Sequence, residues 1–521
     1  MGTSPTKRRV APGAYPLAAG LITAAATWWW WRGVSGWLGF VVALVVATVA
    51  DMIRASRFYV PLPHIVVFIA GLQYGLAAWA SNFYPSLYPE YQIEDIHRYF
   101  AYIGPALGAV ALGFLFAAMA MPREPRESVP IRQNARLLGE LDWMLWGGLV
   151  IDIFVPNPPG GLAFVVFLLA GLRFVGAIGW MITQAAGWKW RLGLLLIHEV
   201  YVATRIGMFH DLILWSLSLL AIYVSLHRQR RLAMVGGTVG LVLAVFVLQD
   251  AKWTLRQGIW NDRNEAVVFG RTVTFSDWSR PLVTSLCIVD STTKLVRGGF
   301  TDESLGNSIT RFNQGWIIDR VMTHVPNDEP YARGETIWAA LEATLLPRVL
   351  VPDKLRIDGK ANMERFAGHI LESNVTMNLG FAGEMYANFG RGGGVAGCAV
   401  YALVLGLFFR QAAILARRSP FWWAFAVYAA HWALKAETDV AGVLNYLVKA
   451  IFLIWILTFF LPALRVELKG GLGASQRETR HPGRRRPRSP LRRRGRPFPA
   501  AESLSPAPRL DRLPAPGKHG I

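Results

Sequence analysis

The chain has 521 residues, 53% of them hydrophobic, with 21 tryptophans and a formal net charge of +20. Charge-free runs such as Trp37–Ala50 and Gly161–Ala170 follow one another, which excludes an ordinary soluble domain, since apolar segments of roughly 17–25 residues match the hydrocarbon thickness of a bilayer. The positive charge does not point to a specific nucleic acid partner, because roughly +11 of it lies after Leu464, in a tail holding Arg484, Arg485, Arg486, Arg488, Arg492, Arg493, Arg494 and Arg496.

From the N-terminus, Lys7, Arg8 and Arg9 precede an apolar run that ends in Trp28–Trp31 without a small-residue cleavage site. It reads as an uncleaved first helix. Expected spans begin near Tyr15, Gly36, Pro63, Phe100, Leu141, Gly161, Leu192, Asp211, Leu232, Gly394, Phe421 and Tyr446. Helices rather than strands are implied, because an open strand would leave its backbone groups unsatisfied in lipid. With a cytoplasmic N-terminus, the even-numbered connections should carry Lys and Arg. They do: Arg54 and Arg57, then Arg123 to Arg136, Lys189 and Arg191, Arg228 to Arg231, Arg417 and Arg418, and the basic tail. The odd connections fit as well, with Glu90, Glu94 and Asp95 against Arg98 in the third. The expected fold is therefore all-α and polytopic, with about twelve transmembrane helices and both termini cytoplasmic.

Four regions follow. Residues 1–249 form an N-terminal membrane bundle of about nine helices, and residues 250–393 a large extracytoplasmic loop and the start of a late helix. Residues 394–464 form about three C-terminal membrane helices, and residues 465–521 a basic cytoplasmic tail. The tail, rich in Pro and Arg, cannot bury a core and reads as disordered and in touch with anionic lipid. Within the loop, Trp316, Ile317, Ile318, Val321 and Met322 make a helix-like stripe, as do Ile337, Leu341, Leu345 and Leu346. Helical pieces over the membrane surface are expected there rather than a sheet domain. Cys287 falls in the loop and Cys398 in an apolar helix, so neither a disulfide nor a zinc site is expected. No Walker loop, DxD-like nucleotide-sugar site in a soluble domain, or HExxH is apparent, which disfavours a cytoplasmic transferase using nucleotide-activated sugars.

The loop carries polar residues in apolar settings. Arg311-Phe-Asn-Gln-Gly-Trp-Ile-Ile-Asp-Arg320 comes first, then His324-Val-Pro, Gly334-Glu335-Thr336, Leu346-Pro-Arg348 and Pro352-Asp-Lys354. The series ends in Gly380-Phe-Ala-Gly-Glu384-Met-Tyr386-Ala-Asn388-Phe-Gly390. Guanidinium groups at a membrane face suit a diphosphate, because the planar fork makes two charge-assisted hydrogen bonds. A carboxylate or imidazole nearby could take the proton of an attacking sugar hydroxyl. Each residue also has a structural reading. Arg311 and Arg320 could pair with Asp319 or Asp328, Glu384 with Arg391, and Lys354 could anchor at the interface. Tyr386 and Asn388 could cap or pack the start of the helix. In the bundle, Glu199 could pair with a basic residue such as Arg173. His431, Lys435, Glu437 and Asp439 read as interfacial residues closing the eleventh span.

The run Arg311–Lys354, followed by Gly383-Glu384-Met-Tyr386-Ala-Asn388-Phe-Gly390, resembles the bacterial O-antigen polysaccharide polymerase family. The similarity covers about 80 residues and rests on the order of the motifs and their place before a late helix. It implies polymerisation of undecaprenyl-diphosphate-linked repeat units into O-antigen or exopolysaccharide, on the outer face of the bacterial inner membrane. The enzyme would be a membrane glycosyltransferase of the cell envelope, inverting and without metal or other cofactor. Arg348, with Arg311 or Arg320, would hold the lipid diphosphate, aided by Lys354, Tyr386 and Asn388. Glu384 or His324 would activate the acceptor hydroxyl. Expected partners are the lipid-linked glycan, membrane lipids, a chain-length regulator and a flippase. Rival readings are an O-antigen ligase-like transferase, a secondary transporter, and a non-catalytic transport or assembly protein.

Overall fold

A computed structural model of the protein describes residues 25, 33–83, 89–119, 134–156, 158, 162–227, 232–260, 264–297, 301–345, 359–371 and 377–470, all inside one unit running from Met1 to Ala474. The first eight helices are α1 (Val34–Ala55), α2 (Leu62–Ala80, with one wide turn at Gly71–Leu76), α3 (Ile96–Ala118), α4 (Ala135–Phe154), α5 (Ala163–Thr183), α6 (Trp188–Ile206), α7 (His210–Leu226) and α8 (Leu232–Trp260). A two-stranded antiparallel hairpin follows, β1 (Glu265–Val268) and β2 (Arg271–Thr274), with Glu265 opposite Thr274. Then come α9 (Arg280–Arg297), α10 (Asp302–Phe312), α11 (Gly315–His324), α12 (Glu335–Leu345) and α13 (Gly359–Ala367). The chain closes with α14 (Gly380–Ala416), α15 (Phe421–Ala430), α16 (Val440–Phe460) and α17 (Pro462–Leu468).

Among the described residues, seven stretches are long and apolar enough to cross a membrane: α1, α2, α3, α5, Gly236–Ile259 within α8, α14 and α16. Their outward surfaces carry large apolar side chains such as Val46, Phe116 and Phe460, each more than half exposed. Such a surface suits lipid and not water. The chain is an all-α membrane protein.

These seven coincide with seven of the twelve expected spans. The span expected from Tyr15 lies outside the described residues. Helices also form where the other four were expected. Of these, α7 has 17 residues and α15 ends after 10. Helices α4 and α6 have 20 and 19, and their charged residues explain their lower hydropathy. Arg191 of α6 makes two bonds to Asp142 of α4, at 2.8 and 2.9 Å. Arg173 of α5 holds Glu199 of α6 at 2.7 Å and Asp152 of α4 at 3.1 Å. His198 meets the second oxygen of Asp152 at 2.8 Å. The Arg173–Glu199 pair expected from the sequence is thus present, inside a larger network that offsets the cost of burying its charges.

Small residues let these helices touch. A Cβ at Gly176 of α5 would stand 2.6 Å from the Leu141 carbonyl oxygen of α4, so backbone meets backbone as membrane helix pairs favour. Helix α14 begins at Gly380, well before the expected start at Gly394, and breaks at Gly390, where φ is 67° and ψ −167°. Helix α8 likewise runs past the expected boundary at Asp250. Among the described residues, the interval 250–393 is mainly helical apart from the hairpin, and the stripe from Trp316 to Met322 is buried in α11. Of the second stripe, Ile337 packs against the core, Leu341 faces outward, and Leu346 lies outside the described residues. Helix α12 buries Thr336 and Ala340 and leaves Trp338 and Leu341 outward, because Thr336 is drawn toward a carboxylate on α14.

Candidate functional site

Two polar clusters stand out, one closed and one open. The closed cluster centres on Glu384, which is fully buried in the first arm of α14. Its Oε1 accepts from the Thr336 hydroxyl at 2.8 Å and its Oε2 from the Val440 N–H at 2.6 Å. Val440 opens α16, where free N–H groups and the helix dipole favour a carboxylate. Asp439 caps the same helix end, its Oδ1 accepting from the Gly442 N–H at 2.7 Å, and burial pushes its carboxyl above the usual range. Asn388, one turn after Glu384, donates to the Thr336 hydroxyl at 2.7 Å and to the Glu384 carbonyl at 2.8 Å, while its own Oδ1 accepts from the Gly334 N–H at 3.0 Å. The break at Gly390 frees the carbonyls of Ala387 and Asn388, which accept from the N–H groups of Ala332 and Arg333 at 3.0 and 2.9 Å. Tyr386 is buried against the rings of Tyr102 and Tyr331. Glu384, Tyr386 and Asn388 are therefore held inside a packed joint between the Tyr331–Thr336 segment, α14 and α16. Arg391 is not the partner of Glu384. Its Nε donates to the Ala101 carbonyl at 3.1 Å.

The other sequence candidates lie along α10 and α11. Arg320 faces Glu94 at 3.7 Å rather than Asp319 or Asp328. Asp319 is buried and bound by the Glu94 N–H at 2.7 Å and by Arg98 at 3.3 Å; burial nevertheless pushes its carboxyl above the usual range. The Nδ1 of His324 meets Asp328 at 3.0 Å, with the imidazole about a quarter exposed. Arg348 and Lys354 lie outside the described residues.

Arg311 leads to the open cluster. Its guanidinium sits 5.6 Å from the ring centres of both Tyr91 and Trp253, which brings the end of α10 against the C-terminal part of α8. There the charges of Arg256, Arg311 and Glu437 all reach Lys252, and that of Arg311 reaches Arg256. Glu437 lies 2.8 Å from the Nδ1 of His210, the first residue of α7, and both side chains are about one-third exposed. Burial pushes Glu437 up, but His210 and then Lys435 outweigh it and hold the carboxyl below its usual range. Beside them, Asp211 accepts from Lys435 at 2.5 Å and from His431 at 3.3 Å, with its carboxylate half exposed.

Four cations (Lys252, Arg256, Arg311 and Lys435) and two imidazole–carboxylate pairs are thus gathered from α7, α8, α10 and the segment between α15 and α16. Such a set can bind a polyanion and also move a proton. With its Nδ1 bound to Glu437, His210 has Nε2 left as the ring nitrogen able to accept one. Sequence reasoning missed Lys252, Arg256 and His210, and set Glu437 aside as interfacial. The available signal was topological parity, because the expected topology puts the start of α7, the end of α8 and the turn after α15 all on the side opposite the basic connections. Among the described residues, no group of three or more His, Cys, Asp or Glu is gathered as metal ligands. No family model, curated protein or solved structure matches the chain.

Proposed function

We propose that the protein is a glycosyltransferase of the bacterial inner membrane that extends a polysaccharide from undecaprenyl-diphosphate-linked repeat units at the outer membrane face. The observation that carries this reading is the open cluster, where Arg311, 5.6 Å from the Trp253 ring, meets the stretch of α8 that carries Lys252 and Arg256 one turn apart, with Glu437 of the partly exposed His210–Glu437 pair in electrostatic reach of Lys252. A lipid carrier would lie along the bundle with its diphosphate among the cations. Charge develops on that leaving group, where preorganised cations lower the barrier most. The acceptor hydroxyl oxygen attacks the anomeric carbon, the bond from that carbon to the diphosphate breaks, and the lipid diphosphate departs with the electron pair. The hydroxyl proton passes to an imidazole. His210 is better placed than Glu384, whose two oxygens are already engaged, while His324 with Asp328 is the alternative acceptor.

The test uses the purified chain in nanodiscs with lipid-linked repeat units extracted from the cells that make it. A ladder of lengthening products is expected, strongly reduced when Lys252 and Arg311 are both changed to Ala. No lengthening by the unaltered chain, or full activity in the double variant, would overturn the proposal. Transfer without lengthening would favour a ligase acting on a different acceptor.

A further inference from the structure

Helix α9 belongs to the interval expected to stand in water, yet its surface fits water poorly. Its inner face, with Val283 and Cys287, shares a small core with Ala251 and Leu255 of α8. Two hydrogen bonds fix it further: the Thr284 hydroxyl donates to the Thr204 carbonyl of α6 at 3.0 Å, and the Ser291 hydroxyl to Asp250 of α8 at 2.6 Å. Ala251 and Leu255 lie within the Gly236–Ile259 stretch that is apolar enough to cross a membrane. A helix packed on that stretch shares its depth.

The outer face of α9 carries Leu282, Val289 and Val296, at 64%, 53% and 79% exposure. Seven residues make about two helical turns, so the three form one stripe. The hydroxyls of Ser285, Thr292 and Thr293 need no water, because each donates to a carbonyl of its own helix, at 2.8, 2.7 and 2.8 Å. The one acid within the helix, Asp290, is buried and paired with Lys294 at 2.9 Å. Trp278 and Arg280 stand at one end and Arg297 at the other, residue types that anchor at lipid–water boundaries. On neighbouring α6, Ile197, Tyr201 and Ile206 are also more than half exposed, so the stripe continues an apolar belt already facing outward.

We infer that α9 is seated in the outer boundary of the bilayer, with lipid covering the Leu282–Val289–Val296 stripe. An apolar stripe of this kind in water would be an association hazard, whereas lipid covers it at no polar cost. The stretch around α9 is then a membrane-seated element and not part of an aqueous loop.

The experiment places an environment-sensitive fluorophore on Val289→Cys and, as a water-facing control, on Glu364→Cys of α13, whose side chain is exposed. The native thiols of Cys287 and Cys398 are buried. In nanodiscs holding one protein copy, Val289→Cys is expected to emit at shorter wavelength and to be quenched several-fold more by doxyl-labelled phospholipid than Glu364→Cys. Quenching by aqueous iodide equal to the control, with no effect of doxyl lipid, would overturn the inference. Shielding that arises in two-copy discs alone would assign the stripe to a second copy and overturn it as well. Should Val289→Cys fail to fold, Leu282→Cys carries the same readout.

Discussion

The joint around Glu384 and the cluster around His210 contain similar chemistry in opposite settings. Glu384 is fully buried, and both its oxygens have partners fixed by the backbone or by packed side chains. Glu437 and Asp211 also have partners, but their carboxylates reach solvent. A buried carboxylate with every bond made holds elements together, because removing it strands donors that cannot find water. A half-exposed one beside an imidazole can exchange partners and protons with a ligand. The short motif around Glu384 attracts attention in the sequence, whereas the partly exposed pairs and cations of the other cluster come from four separated stretches.

This contrast can be broken most decisively at His210. His210→Gln is expected to lower glycan extension by about 10²- to 10⁴-fold, the usual contribution of a positioned proton acceptor, while leaving the melting temperature of the purified protein close to that of the parent. Unchanged extension would move the role to His324. At the closed joint the opposite pattern is expected. Glu384→Ala leaves the Thr336 hydroxyl and the Val440 N–H without their acceptor, a loss of about 2–5 kcal/mol, read as a lower thermal transition in detergent. A variant of normal stability with abolished activity would instead make Glu384 part of the reaction.

The cations come next. Lys252→Ala and Arg311→Ala should each weaken binding of undecaprenyl diphosphate about tenfold to a hundredfold, the range for one charge-assisted bond of about 1.5–3 kcal/mol. Scintillation or fluorescence binding to nanodiscs would measure this, and equal affinity in the variants would remove the cluster from the lipid site. The smallest effect belongs to the surface. Hydrogen bonds from Arg365 to Glu335, at 2.8 and 3.0 Å, hold that carboxyl below its ordinary value near 4.5. The pair therefore contributes stability that is present above about pH 4.5 and is lost as pH falls through the lowered value. Because both side chains are well exposed, Arg365→Ala should cost no more than about 1 kcal/mol, and a denaturation series from pH 7 to 3 should show the difference from the parent shrinking.

Much of the architecture was legible because hydropathy is a local property. An apolar run such as Ala163–Thr183 declares its helix whatever surrounds it. Parity of the basic connections then grouped the ends of the bundle. Charged helices were less plain, since Asp142, Asp152 and Glu199 lower hydropathy along the sequence while Arg191 and Arg173 offset them in space. Helices α8 and α14 extend across the expected limits at Asp250 and Gly394 for a related reason. Lys252 and Arg256 sit within a continuing helix, and Gly390 interrupts one without ending it. The site was legible only in part. The motif ending at Gly390 marks a real junction, but its Glu and Asn make internal bonds. The His210–Glu437 contact joins residues more than two hundred positions apart, and no local pattern encodes such a meeting.

The interruption at Gly390 has a consequence for how this chain can change. Its backbone angles belong to a region open to glycine almost alone, and a Cβ there would stand 3.0–3.1 Å from three atoms of the Tyr331 side chain. The tyrosine that would collide opens the same Tyr331–Thr336 segment that takes up the two carbonyls released by the break. Any other residue at this position would be strained and would push away the segment it secures, so one missing methyl group keeps Tyr331–Thr336 stitched to α14.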